Sequence, residues 1–199
     1  MSNHEDHEDL KPTITPGYKP GAAKSADEYA SLDAEDESLA RWKASLGIVP
    51  GIERAADGPK VTVLTLELRS PTLQNPLIVD INNPAQLAEI RTQPIVIKEG
   101  VEYSVGISFK VNHSIISGVR YIHVVRRAGV KVDKLEQMLG SYSPHAEGKA
   151  YVKNFDSEES PSGMIARSGI YSVKSRVVDD DGEVYAAWDW SFKLAKEWN

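Results

Sequence analysis

The feature that most constrains this chain is an alternation of period two. Val101, Tyr103, Val105, Ile107, Phe109 and Val111 are apolar, whereas Glu102, Ser104, Gly106, Ser108 and Lys110 between them are small or polar. On a helix these apolar side chains would spread around the axis; on a strand they share one face. Near the end Val184, Ala186, Trp188, Trp190, Phe192 and Leu194 alternate with Glu183, Tyr185, Ala187, Asp189, Ser191 and Lys193. The spacing predicts two long half-buried strands, and further strands over Val61–Leu68, Leu77–Ile81, Ile95–Lys98, Val119–Arg126 and Tyr171–Val178. Asp179-Asp180-Asp181-Gly182 is turn chemistry that joins the last two as a hairpin, and Lys98-Glu99-Gly100 is a similar turn. Seven or eight short strands with polar turns indicate an antiparallel β-sandwich. Nothing alternates with long helices, which argues against a nucleotide-binding α/β sheet.

Charge divides the chain in two. The whole has 199 residues with a formal charge of −6, and of its 29 acidic and 23 basic residues 12 and 7 lie at or before Lys60. The first segment thus carries nearly all the excess. Up to Ala26 it has few large apolar side chains and several breakers (Pro12, Pro16, Gly17, Pro20, Gly21), too little to offset the entropy of ordering, so it reads as disordered. From Asp27 to Gly47 the period changes: Tyr29 and Leu32, then Leu39, Trp42 and Leu46 recur at helical steps. Asp36 or a neighbouring acid suits the cap of a second helix. Two helices this short are marginal alone and need a surface to pack on, either the chain's own domain or a partner protein. Gly47–Lys60 reads as a linker.

Several functions find no support. No run approaches the length of a membrane span, and the acidic start is unlike a signal peptide. The absence of cysteine removes disulfides, thiolate metal sites and cysteine nucleophiles, and fits a reducing compartment. Net acidity argues against generic nucleic-acid binding. His4 and His7 alone share metal-ligand spacing, within the acidic start. There is no P-loop and no G-x-S-x-G, so no catalysis and no cofactor is expected. The informative element is the last strand. Trp188 and Trp190 form a large apolar wall, which reads either as a core pair or as a sandwich that opens between its sheets for an apolar ligand.

Blocks spread in order along the chain carry a resemblance: Tyr18-Lys-Pro-Gly, LDAEDESLARWKASLG (Leu32–Gly47), IVIKEGVEYSVGISFKVN (Ile95–Asn112), ISGVRYIH (Ile116–His123), GVKVDK (Gly129–Lys134), GSYSPHAE (Gly140–Glu147), GMIARSGIYSVKSR (Gly163–Arg176) and WDWSFKLAKEW (Trp188–Trp198). Together they resemble the Rho GDP-dissociation inhibitors. The resemblance implies a flexible regulatory arm, residues 1–58, forming two short helices over about 27–47 on partner binding, and an immunoglobulin-like sandwich over 59–199. It implies a cytoplasmic protein that binds prenylated Rho-family GTPases, preferably GDP-bound, shelters the isoprenoid tail between its sheets, extracts them from membranes and slows GDP release. The resemblance places the tail among Leu66, Ile95, Tyr103, Ile115, Val173 and Trp190, and the GTPase at Asp36, Trp42, Asp133 and Asp181. Ser25 matches a position phosphorylated in relatives. An alternative is a general prenyl or acyl carrier of the phosphodiesterase-delta type, which shares the sandwich and lacks the arm.

Overall fold

A computed structural model describes residues 8–13, 26–33, 35–45, 48, 58–145 and 147–199. Ser25, Leu46, Gly47 and Pro50 lie outside the described residues. Two short helices come first, α1 (Ala26–Ser31) and α2 (Glu37–Ser45). Asp36 caps α2, accepting from the backbone N–H of Ser38 at 2.9 Å and of Leu39 at 3.0 Å. The Lys43 ammonium donates to the Leu32 carbonyl and ties the two helices together.

The remaining described residues are mainly β, in two five-stranded sheets. The first contains β1 (Val61–Arg69), β2 (Leu77–Asp80), β4 (Glu102–Val111) and β7 (Tyr151–Asn154) in the order β2-β1-β4-β7, with β8 (Glu158–Glu159) also pairing β4. The second runs β3-β10-β9-β5-β6, built from β3 (Ile95–Lys98), β5 (Ile116–Arg127), β6 (Val130–Tyr142), β9 (Tyr171–Val178) and β10 (Val184–Ala195). All pairs are antiparallel except β3 with β10, which is parallel. The Lys98–Gly100 turn therefore carries the chain from one sheet to the other instead of closing a hairpin.

The Asp179–Gly182 turn does close the β9–β10 hairpin. The Asp179 carboxylate accepts from the N–H of Asp181 and Glu183 and from the Tyr185 hydroxyl, at 3.0, 2.8 and 2.6 Å. Asp180 pairs with Arg120 at 2.6 Å and fills the space over Gly118, whose φ of +63° and missing Cβ both suit that approach. A bulge between Val184 and Ala186 shifts the start of β10. Val184, expected inward, is exposed, while Tyr185 packs against the core.

Five elements were not anticipated from the sequence: β6, β7, β8, the helix α3 (Pro84–Thr92) and the single helical turn Met164–Arg167. Helix α3 starts at Asn83, whose side chain accepts from the N–H of Ala85 and Gln86, with Pro84 in the first turn. Ile90 of α3 is buried, and its carbonyl accepts the Ser191 hydroxyl at 2.9 Å, which docks the helix beside β10.

The space between the sheets is filled unevenly. At one end Phe109, Tyr142 and Tyr151 interlock, with ring centroids 5.0 Å apart for Phe109–Tyr142 and 4.6 Å for Tyr142–Tyr151. Val61, Val111 and Ile116 complete this solid end. The other end holds a smaller cluster, Ile97, Val125, Ala166, Tyr171, Val173 and Leu194, and there the sheets stand apart.

Candidate functional site

Between the sheets at this second end lies a cavity of about 590 Å³. That is within the roughly 300–1,000 Å³ usual for small-molecule sites. Alternation aims its walls. Tyr121, His123 and Val125 project inward from β5, Tyr171 and Val173 from β9, Trp190 and Leu194 from β10; Leu66, Tyr103 and Val105 face them from the first sheet.

The polar atoms of these walls are largely turned to one another. Ser175, buried on β9, accepts the Trp190 indole N–H at 3.0 Å and shares a hydrogen bond with the Tyr121 hydroxyl, also at 3.0 Å. His123 Nδ1 lies 3.3 Å from the same hydroxyl. Burial lowers the His123 imidazole to about 4, so it stands neutral beside the cavity at physiological pH. Burial also raises the Tyr103 phenol, helped by the Glu158 carboxylate, to which its hydroxyl donates at 3.2 Å. Hydrogen bonds satisfied within the wall leave ring faces and aliphatic carbons toward the cavity.

The mouth is marked by exposed lining residues: Asp133, Glu158 and Glu159 form an acidic rim, and Val132 and Ile165 add apolar surface. Ile165 belongs to the single turn α4 (Met164–Arg167), where Met164 and Ile165 are each 79% exposed. Two anchors hold that turn. Glu99 accepts from the Gly163 N–H at 2.8 Å and from the Arg167 guanidinium, and both hold its carboxyl below the usual range. Arg127 donates to the Ile165 carbonyl at 2.6 Å and lies over the Tyr171 ring at 5.5 Å.

Of the six tail-binding candidates the structure brings four to the cavity: Leu66, Tyr103, Val173 and Trp190. Ile95 lines a small apolar cleft beside it, together with Leu66, Leu77, Val79 and Trp190. Ile115 is half-buried in the β4–β5 connection and is not among the residues lining either space. The four GTPase-binding candidates sit on three separate elements. Asp36 and Trp42 are on the helical pair, with Trp42 57% exposed; Asp133 is at the cavity rim; Asp181 is at the exposed tip of the β9–β10 turn. Ser25 lies outside the described residues. The sequence reading missed His123 and Tyr171, although both lie on strands it located and the alternation there points them inward. It also missed Ile165, for which a four-residue helix offers no periodic signal.

No group of three or more potential metal ligands occurs among the described residues. No described helix is long and apolar enough to cross a membrane. The fold and cavity together define an all-β binding module, hollow between its sheets at one end. The family model described as "RHO protein GDP dissociation inhibitor" matches residues 2–197, and the chain belongs to that family. Named relatives agree along nearly the full length. The chain is 42% identical over 181 residues to Rho GDP-dissociation inhibitor 1 of Bos taurus, covering 91% of this chain and 86% of the relative. It is 40% identical over 184 residues to the Rho GDP-dissociation inhibitor of Saccharomyces cerevisiae, covering 90% and 91%. With Rho GDP-dissociation inhibitor 3 of Bos taurus the identity is 37% over 185 residues, covering 92% and 79%. These relatives are named as inhibitors of dissociation, not as enzymes.

Proposed function

We propose that this chain is a Rho GDP-dissociation inhibitor that takes the isoprenoid tail of a prenylated Rho-family GTPase into the interlayer cavity, removes the GTPase from membranes into the cytoplasm and slows its loss of GDP. The observation that carries this reading is the cavity of about 590 Å³ walled by Leu66, Tyr103, Val173 and Trp190. A prenyl tail of roughly 15–20 carbons, at about 0.8 kcal/mol per buried CH₂, prefers an apolar site over water by on the order of 10 kcal/mol. A bilayer offers the same gain, so extraction needs a protein site of comparable quality. The acidic rim of Asp133, Glu158 and Glu159 suits a tail preceded by basic residues.

The second contact is the helical pair. Trp42 supplies an exposed aromatic anchor for the GTPase surface, and Asp36 braces α2 while presenting a carboxylate there. Tethering makes this contact intramolecular once the tail is seated. Preference for the GDP-bound surface opposes nucleotide loss by linkage alone, with no chemistry. Asp181 at the hairpin tip contributes further acidic surface, and Ser25 is a site at which phosphorylation would add charge to an already acidic arm and weaken docking.

The test pairs two variants in assays of labelled GDP release and liposome extraction. Trp190→Ala should lose extraction of prenylated GTPase and barely change binding of unprenylated GTPase. Trp42→Ala should lose GDP retention yet still bind an isolated prenylated peptide. Equal losses for prenylated and unprenylated GTPase with Trp190→Ala would contradict the tail assignment. Full GDP retention by Trp42→Ala would contradict the role of Trp42 as the anchor on the GTPase.

A further inference from the structure

The outer face of the second sheet is occupied by the chain's own start. Residues 8–13 lie across β5, β6 and β9, on the side away from the cavity. Leu10 is 5% exposed and packs into a trough of Ile122, Val124 and Val178. These three are the outward neighbours, by strict alternation, of the inward Tyr121, His123, Val125 and Val177. On one flank of Leu10 the Asp9 carboxylate receives Arg126 and Lys131, each at 2.7 Å. On the other flank the Thr13 N–H and hydroxyl both donate to the Glu136 carboxylate, at 2.9 and 2.7 Å, and the Thr13 carbonyl accepts from Arg120 at 2.9 Å. Arg120 and Glu136 are themselves paired at 2.7 Å, so the end that takes Thr13 is pre-organised.

We propose that this face is a peptide-docking groove whose occupant is the chain's own residues 8–13, held in cis as a latch. The recognition rule is an acid at position 9, a branched aliphatic side chain at 10 and a hydroxyl with a free N–H at 13. Each part answers a different feature of the groove: a cation pair, an apolar trough and a fixed carboxylate. Charge complementarity supports the occupant, since the segment comes from the acidic start of the chain while the face beneath Asp9 is basic. The latch ties the stretch that holds α1 and α2 to the sandwich at both ends, through residues 8–13 on one side and β1 on the other. It therefore raises the local concentration of the helical pair near the fold without touching the cavity.

The test uses the full chain with methyl-selective NMR labelling. Leu10 methyl groups should show NOEs to the methyls of Ile122, Val124 and Val178. Asp9→Lys should weaken them at least fivefold, Leu10→Ser should abolish the packing, and Asp9→Glu should retain it; none of these variants alters the sandwich itself. Raising the salt to 0.5 M, where the Debye length is under about 5 Å, should weaken the contact in the same direction. Absence of the NOEs in wild type, or equal intensity in Asp9→Lys, would overturn the proposal. So would NOEs found only between differently labelled chains in a mixed sample, which would assign the groove to a second copy.

Discussion

The two ends of the sandwich are made by the same sheets and differ in what lies between them. At the solid end, rings from β4, β6 and β7 interlock around Phe109, which is fully buried. At the hollow end the facing strands carry side chains just as apolar, among them Leu66, Val105, Val173 and Leu194, yet they leave about 590 Å³ unfilled. Close-packed interiors carry few voids larger than a water molecule, so a hollow this size sacrifices packing contacts. The solid end supplies the stability that lets the other remain open. The walls there are kept in place by bonds among themselves, Trp190 and Tyr121 through Ser175, and the mouth by Glu99 and Arg127 holding the α4 turn.

This contrast is easiest to break by substitution at each end. Phe109→Ala should cost about 3–5 kcal/mol in urea unfolding, because it opens a cavity where the surroundings are already interlocked. Filling the hollow should leave stability nearly unchanged. Val173→Trp should change stability by less than about 1 kcal/mol, since the ring enters existing space, and should weaken prenylated-peptide binding at least ~30-fold, about 2 kcal/mol.

The hollow also sharpens the pH response. His123 is held at about 4 by burial, against an ordinary value near 6.5. The unfolded chain therefore takes up this proton first as pH falls. The stabilisation is complete above about 6.5 and is lost progressively down to about 4, on the order of 3 kcal/mol over that window. His123→Gln should flatten the stability profile between those limits and leave it unchanged above pH 7, as measured by urea midpoints.

Much of this architecture is legible in the sequence where one face is buried and the other wet, as in β4 and β9. Legibility fails where that condition fails. In β6 the first five residues are all exposed and the pairing with β5 shifts register three times, so no alternation survives. In β10 the Val184/Ala186 bulge moves Val184 into solvent, and the two tryptophans that share a face separate by position: Trp188 stacks on Tyr121 at 5.9 Å in the solid core, while Trp190 borders the cavity. Ile95 and Ile115, placed by the resemblance, are as apolar as Val173, yet Ile95 lines the neighbouring cleft and Ile115 directly precedes Ile116 of the solid end, a difference that apolar character alone does not reveal. The seating of residues 8–13 contrasts with the disorder that composition suggests. A single leucine among acids and breakers has no period, and its partners are more than a hundred positions away in the sequence.

The most direct measurement is a methyl-shift titration of the full chain with a geranylgeranylated peptide, using its unprenylated twin as control. The methyls of Ile97, Val173 and Leu194 at the hollow end should shift strongly and saturably with the lipidated peptide alone, while those of Val61, Val111 and Ile116 at the solid end stay in place. Shifts spread evenly over both ends, or absent from the cavity residues at saturation, would contradict the account.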